Sequence, residues 1–331
     1  MNFGEILGQD KAIGDLRFAF ERKRVPNAYL FVGPQGIGKA TAAMVMAALI
    51  NCEGPKQGSD PCEICISCRK IAHDNHTDIW LIQAEGNTIK IDQIRKLQRM
   101  VRFPPQEANM RVVMIDGAEK MGDEASNALL KILEEPPPNN LFILISSHGS
   151  RLLPTIISRC QRVSFVPLSK GILDKLLVEK HGMDPVQASL AAGISEGSVG
   201  KALELKEILT GEHRRELLLK LPELHREPEG AMLALDLADT IHRSNIPTSN
   251  YLDLIRTWFR DLLYIREVEG FQELLINYDL PSVLQGHADI VDTSSIYRSI
   301  HRLEEAEAAI QRYVSPLLTL EKLFLEIGGF G

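Results

Sequence analysis

The run from Gly33 to Thr41 has the residue types of a phosphate-binding loop, with one substitution at the metal position. In the pattern G-x-x-x-x-G-K-[ST], glycines expose backbone N–H groups to phosphates, the lysine reaches the outer phosphates and the final hydroxyl binds magnesium. The glycines and the lysine are present, as Gly33, Gly36, Gly38 and Lys39. Ala40 stands at the hydroxyl position, and Thr41, rotated by about 100° on a helix, does not simply replace it. We therefore predict a loop that can hold phosphate but is poorly equipped to hold its metal.

A second motif, Arg111–Asp116, is an apolar strand that ends in an acid. Such a strand places a magnesium-binding aspartate beside the phosphates, which makes Asp116 a nucleotide-site candidate. In hydrolysing P-loop proteins that form rings, a glutamate that orients the attacking water usually comes next, but here Gly117 does. Glu119 lies two residues further on, and a displaced carboxylate seldom preserves the geometry that the reaction needs. The two losses predict a nucleotide fold without efficient hydrolysis.

Four of the five cysteines have the spacing of one metal site: Cys52, Cys62, Cys65 and Cys68. Two overlapping C-x-x-C turns preorganise three thiolates, and Cys52 closes the site from the end of the preceding helix. Four protein ligands leave no position for water, so we predict a structural zinc, with an iron–sulfur cluster as the lesser alternative. This grouping argues against a disulfide framework.

The elements around these motifs alternate between strands and helices. Apolar strands at 79–83, 111–115 and 141–145 alternate with helices at 91–101 and 123–134, which predicts a parallel sheet covered by helices. A small helical unit follows from about Lys170, and from about Gly211 the chain is nearly all helical. The 331 residues carry a net charge of −7 and lack a spanning apolar run or signal-peptide pattern, so we expect a cytoplasmic protein without a whole-chain nucleic-acid signature.

In their order along the chain, these motifs resemble the delta-prime family of clamp-loader subunits of bacterial DNA polymerase III. The resemblance covers essentially the whole length and also rests on Gly8-Gln9, on the segment Asn127–Pro136 and on Ser158-Arg159-Cys160. It implies an AAA+ P-loop domain at 1–167 with the cysteine insert at about 52–68, a helical lid at 168–210 and a helical collar at 211–331. It also implies gamma/tau-type motor subunits and a delta subunit as partners, and the sliding clamp and primed DNA as targets of the complex, with no membrane partner.

Within that family, three departures indicate the subunit type. The motor subunits carry a hydroxyl at position 40, a glutamate at position 117 and usually a phosphate-sensing arginine at position 200, where this chain has Ala40, Gly117 and Gly200. The resemblance thus implies a non-hydrolysing stator in which ATP binding is doubtful. It also implies that Arg159 projects as an arginine finger into the ATP site of a neighbour. Its simpler interpretation is a surface arginine paired with an acid.

Two other functional classes remain as alternatives. One is an active P-loop enzyme, an ATPase motor subunit or a nucleotide kinase, in which Thr41 and Glu119 replace the missing groups. The other is a zinc-dependent DNA-binding module. The second is weak because only Arg69 and Lys70 adjoin the cysteines, without a dense basic and aromatic surround.

Overall fold

The structure, a computed structural model, describes residues 1–55, 58–210, 213–226, 228–312 and 314–330. The chain divides into two compact units. The first comprises Met1–Ser169 together with Ser198–Gly200, and the second comprises Lys170–Gly197 and Lys201–Gly331. The predicted boundary between lid and collar, at residue 211, lies outside the described residues.

The first unit is built on a five-stranded parallel sheet. Its strands are β1 (Ala28–Val32), β2 (Ile79–Ile82), β3 (Arg111–Asp116), β4 (Asn140–Ser146) and β5 (Gln161–Ser164), in the order β2-β3-β4-β1-β5. Its helices are α1 (Asp10–Glu21), α2 (Lys39–Ile50), α3 (Ile66–Ala72), α4 (Ile91–Met100), α5 (Asp123–Glu134) and α6 (Pro154–Ile157).

The near-continuous apolar runs of β1, β3 and β4 are explained by burial on both faces of the sheet. Alternate strand residues enter two core clusters, one with α1 and α2 and the other with α4 and α5. Parallel strands buried on both faces read as continuous apolar runs, as the sequence predicted. Because all five strands run in one direction, the carboxyl ends of β1, β3 and β4 share one edge of the sheet, where such folds place their ligands.

The described residues of the second unit contain helices and no strand. They are α7 (Lys170–His181), α8 (Pro185–Ile194), α9 (Val199–Glu204, which begins in the first unit), α10 (Lys206–Thr210), α11 (His213–Lys220), α12 (Glu229–Arg243), α13 (Thr248–Glu267), α14 (Pro281–Ile290), α15 (Thr293–Gln311) and α16 (Pro316–Gly328). Three of them begin with a proline, whose missing N–H costs nothing in the first turn. Among the described helices, none has both the length and the apolar character needed to cross a membrane.

Candidate functional site

The phosphate-loop motif lies between β1 and α2, as its sequence predicted. The chain leaves β1 at Gly33, and Gly36 (φ 73°) and Gly38 (φ 97°) adopt left-handed conformations that favour glycine. Gly38 then serves as the N-cap of α2. The strand, loop and helix therefore have the arrangement in which backbone N–H groups and a helix N-terminus face a bound phosphate.

The side chain of Lys39 is turned back onto this loop. Its Nζ donates hydrogen bonds to the carbonyl oxygen of Gly33, at 2.5 Å, and to that of Pro34. The residue is only 5% exposed, and this burial lowers the pKa of the amine, while the carboxylates of Asp116 and Glu119 oppose that shift. The lysine that would reach the outer phosphates is thus bonded to the loop itself.

The loop is also covered by the segment Ser198–Gly200. The backbone N–H of Gly200 donates to the carbonyl of Gly36 at 2.9 Å. A Cβ on Gly36 would lie 2.4 Å from Ser198 Oγ, and a Cβ on Gly200 would lie 2.9 Å from the Cα of Gly36. Both positions therefore need glycine, because the two backbones touch.

Lys201, the residue next to Gly200, does not supply a free cation. Its Nζ forms an ion pair with Asp253 Oδ2 at 2.8 Å. The sequence also raises the alternative that this lysine replaces the arginine that motor subunits usually carry at position 200. Its ion pair with Asp253 argues further against that replacement.

Asp116 and Glu119 lie at the carboxyl end of β3, but they have different roles. Asp116 Oδ2 accepts a hydrogen bond from Gln83 Nε2 at 3.2 Å. At Gly117 (φ 72°) the backbone becomes left-handed, so the strand does not continue. Glu119 then accepts the backbone N–H of Ser147 at 3.1 Å through Oε1. Its carboxylate is therefore anchored to the end of β4.

The residue at the hydroxyl position of the motif and the residue after it are both exposed. Ala40 and Thr41 are the second and third residues of α2. Thr41 makes no hydrogen bond recorded among the described residues, so nothing in its surroundings fixes its hydroxyl toward the loop. The structure brings the glycines, Lys39 and Asp116 to one edge of the sheet without giving Thr41 a defined role there.

The four cysteines converge on one point. Their Sγ atoms all lie within 4.8 Å of one another. Zn–S bonds of about 2.3 Å in a tetrahedron require S···S distances of roughly 3.8 Å, so a small contraction would suit zinc. Gly54 permits this approach, because a Cβ there would lie 2.5 Å from Cys62 Sγ.

Backbone N–H groups already point at these sulfur atoms. The N–H of Cys62 donates to Cys52 Sγ at 3.3 Å, that of Cys65 to Cys62 Sγ at 3.4 Å and that of Cys68 to Cys65 Sγ at 3.4 Å. Burial acts to raise the pKa of Cys65, but the N–H of Cys68 and other donors lower it to about 6. Burial raises the pKa of Cys68. The donor set fits a closed thiolate site for zinc.

Arg159 follows α6 on the surface of the first unit. Its Nη2 donates to Glu134 Oε1 at 2.7 Å and its Nη1 to the carbonyl of Thr155 at 3.0 Å. The side chains of Arg159 and Glu134 are 35% and 50% exposed, respectively. An ion pair this exposed contributes about 0–1 kcal/mol, so it leaves the guanidinium accessible to a competing anion.

The sequence reasoning missed a buried ion pair between Asp78 and Arg111. Arg111 Nη2 lies 3.1 Å from Asp78 Oδ1, and their side chains are 3% and 0% exposed. The sequence pattern indicates Arg111 only as the first residue of a strand. The available signal was a charged residue at or just before the start of each of two strands, but the pairing depends on the register of β2 against β3.

Comparison with known proteins supports the family resemblance that the motifs indicate. The family model described as DNA polymerase III, delta subunit, matches residues 8–169. The DNA polymerase III subunit delta' of Bacillus subtilis (strain 168) is 33% identical over 310 residues, which cover 93% of this chain and 92% of that relative. The subunit tau of the same organism is 26% identical over 346 residues, covering 98% of this chain but only 61% of tau.

A solved structure gives a weaker match. A gamma subunit-related protein of Thermotoga maritima aligns with 96% of this chain and 99% of its own, at 20% identity and a TM-score of 0.47. This likeness is too low to support any inference about function.

The sheet order, the loop after β1 and the helical second unit define the class as an AAA+ P-loop protein with a C-terminal helical region. The match to the Bacillus subtilis delta' subunit covers nearly all of both chains, which identifies the family. The chain belongs to the delta-prime family of DNA polymerase III clamp-loader subunits.

Proposed function

We propose that this chain is the non-hydrolysing stator of the replicative clamp loader and that it supplies Arg159 to the ATP site of a neighbouring subunit. One observation carries the proposal: the phosphate loop is closed by its own chain. Lys39 bonds to the loop carbonyls, and Gly200 bonds to Gly36. Lys39 must break its hydrogen bonds to the loop carbonyls before it can reach an outer phosphate, so we expect any ATP binding to be weak.

The catalytic parts for hydrolysis are also missing or displaced. Phosphoryl transfer depends almost entirely on positioning and charge stabilisation by the metal, the water-orienting residue and cationic groups. Ala40 offers no hydroxyl for magnesium, and Gly117 offers no carboxylate. Glu119 is bonded to Ser147, which argues against its serving as a substitute. These losses support the stator over an ATPase motor subunit or a nucleotide kinase.

Arg159 suits a role in trans. It lies at the surface just after the short helix α6, and its ion pair with Glu134 is too exposed to hold it strongly. An arginine finger stabilises the charge on the transferring phosphoryl group and increases the rate about a thousandfold or more at the site that it serves. A chain that lacks its own catalytic groups but keeps this arginine suits one end of an ordered ring.

The proposed partners follow from the family. We propose gamma/tau-type motor subunits and a delta subunit as neighbours, with the sliding clamp and primed DNA engaged through the assembled complex. Residues 1–167 form the AAA+ domain, 168–210 the lid and 211–331 the collar for assembly in this proposal. The last two together correspond approximately to the second unit of the structure.

We also assign a structural zinc to Cys52, Cys62, Cys65 and Cys68. Bound zinc would crosslink the four thiolates and leave no position for a reacting water. Three of the sulfur atoms accept backbone N–H groups, which favours the thiolate over the thiol and so favours the metal-bound form.

The direct test of the stator assignment is ATP hydrolysis by the purified chain, alone and within a complex reconstituted with motor and delta subunits. The proposal expects background turnover from the chain alone and clamp loading only when the chain completes the complex. Lys39→Ala in the isolated chain is the control for contamination. Turnover at motor-subunit rates that Lys39→Ala abolishes would instead establish the active P-loop enzyme.

A further inference from the structure

The segment that joins α4 to β3 is tied at its far end to a residue beside the cysteine cluster. Asn51 directly precedes Cys52 and is 1% exposed. Its Nδ2 donates to the carbonyl of Met110 at 2.9 Å, and its Oδ1 accepts the N–H of Met110 at 3.0 Å. Because Asn51 is the C-cap of the buried helix α2, this link does not depend on a metal.

A second link starts in α3, whose N-terminus holds two of the four cysteines. Cys65 is the N-cap of α3, and Cys68 lies in its first turn. Lys70, two residues after Cys68, forms an ion pair with Glu107 Oε2. The other oxygen of Glu107 accepts the N–H of Thr77 at 3.3 Å, and the contact with Lys70 is the main cause of the lowered pKa of Glu107.

The middle of the same segment is held by Asp78. Its carboxylate accepts the consecutive backbone N–H groups of Gln106, Glu107 and Ala108 at 2.8–3.0 Å. Thr77, which bonds to Glu107, directly precedes Asp78. Glu107, the partner of Lys70, is therefore bonded both to Thr77 and to the neighbouring Asp78.

α3 has seven residues, too few to be stable as an isolated helix. A metal bound by Cys65 and Cys68 would fix its first turn and, with it, the position of Lys70. We infer that the metal cluster anchors the segment 102–110 through the Lys70–Glu107 ion pair, in addition to folding its own insert. This inference rests on the metal assignment proposed above.

The anchored segment has a recognisable position and content. It enters β3 at the amino edge of the sheet, opposite the edge that carries the phosphate loop. It presents the side chain of Phe103, which is 69% exposed. Arg111, at the start of β3, also holds the segment, because its guanidinium donates to the carbonyl oxygens of Phe103 and Pro104. Metal binding should thus stiffen this surface without affecting the phosphate loop.

Amide hydrogen exchange followed by mass spectrometry tests the link, with metal content measured on the same samples. Cys65→Ser should release the metal and speed exchange in 102–110 about two- to fivefold, because the link through the exposed Lys70–Glu107 ion pair is lost, while 28–50 and 141–146 stay unchanged. Chelation of the wild-type chain gives the same comparison if the variant folds poorly. Lys70→Ala should keep the metal and speed exchange in 102–110 about two- to fivefold, the range of an exposed ion pair.

Arg69→Ala is the matched control, because Arg69 is an exposed cation on the same helix with no ion pair recorded among the described residues. In the Cys65→Ser background, Lys70→Ala should add nothing, since the link is already lost. Metal release that leaves exchange in 102–110 unchanged would overturn the anchoring inference while the zinc assignment stands. A purified chain without metal would overturn both, and the elemental analysis alone identifies that case.

Discussion

Restoring the two missing side chain types should not turn this chain into an ATPase. The double variant Ala40→Thr with Gly117→Glu returns a hydroxyl and a carboxylate to the two motifs. However, the backbone at position 117 has φ 72°, so a glutamate side chain there would leave the backbone in a direction that a strand residue does not use. Lys39 and Gly36 would also keep their contacts with the loop carbonyls and with Gly200.

The expected cost follows from these contacts. A residue other than glycine in the left-handed region costs about 1–2 kcal/mol. A Cβ at position 117 would meet Lys120 Cδ at 3.2 Å, but that chain is flexible and can move. Ala40 is exposed, so threonine there should change stability by no more than about 0.5 kcal/mol. The double variant should therefore unfold about 1–2 kcal/mol more easily than the wild type.

Urea unfolding followed by circular dichroism measures this loss, and steady-state ATP hydrolysis measures the activity. Gly117→Ala is the matched control, because it has the same backbone cost without a carboxylate. We expect similar destabilisation in both variants and background turnover in each. Turnover that approaches the rate of a motor subunit in the double variant, or an unchanged stability in Gly117→Ala, would refute the geometric argument.

Three further outcomes are expected. The chain purified without chelator should carry about one zinc, and Cys65→Ser should release it with the sheet still folded; elemental analysis that finds no metal would contradict this. Gly36→Ala should destabilise the chain by about 1–2 kcal/mol in urea unfolding, whereas Gly14→Ala, in open space on α1, should not. Burial lowers the pKa of His287 to about 3, so the unfolded chain gains a proton first as pH falls below about 6. The free energy of unfolding should then drop by up to about 1.4 kcal/mol per pH unit down to about pH 4, and a pH series should show a flatter profile for His287→Gln but not for a variant of the exposed His301.

Local spacing was enough to predict the features that depend on neighbouring residues. The loop Gly33–Lys39 needs only a strand before it and a helix after it, and the cysteine spacing alone brings three ligands together. The helix predicted at 123–134 has the same bounds in the structure, because the prolines after it prevent its continuation. The predicted α/β fold with a helical C-terminal region is confirmed.

Contacts between distant residues could not be predicted in this way. The bond between Gly200 and Gly36 joins positions far apart in the chain, and only glycine at both allows it. The ion pairs of Asp78 with Arg111 and of Lys70 with Glu107 depend on strand register and on the packing of α3. A charged residue at a strand start or on a short helix carries no sequence signal for its partner.

The central claim is that a chain without hydrolysis of its own activates a neighbour through Arg159, and one measurement addresses it directly. The complex is reconstituted with wild-type chain, Arg159→Ala or Arg159→Lys, and DNA-dependent ATP turnover and clamp loading are recorded, with Arg151→Ala as an exposed-arginine control and assembly verified for each. We expect Arg159→Ala to lower loading and to reduce total turnover only in part, because one of several sites borrows this residue. Lysine should rescue poorly, since it lacks the planar donor fork. Unchanged turnover and loading in an assembled Arg159→Ala complex would contradict the account.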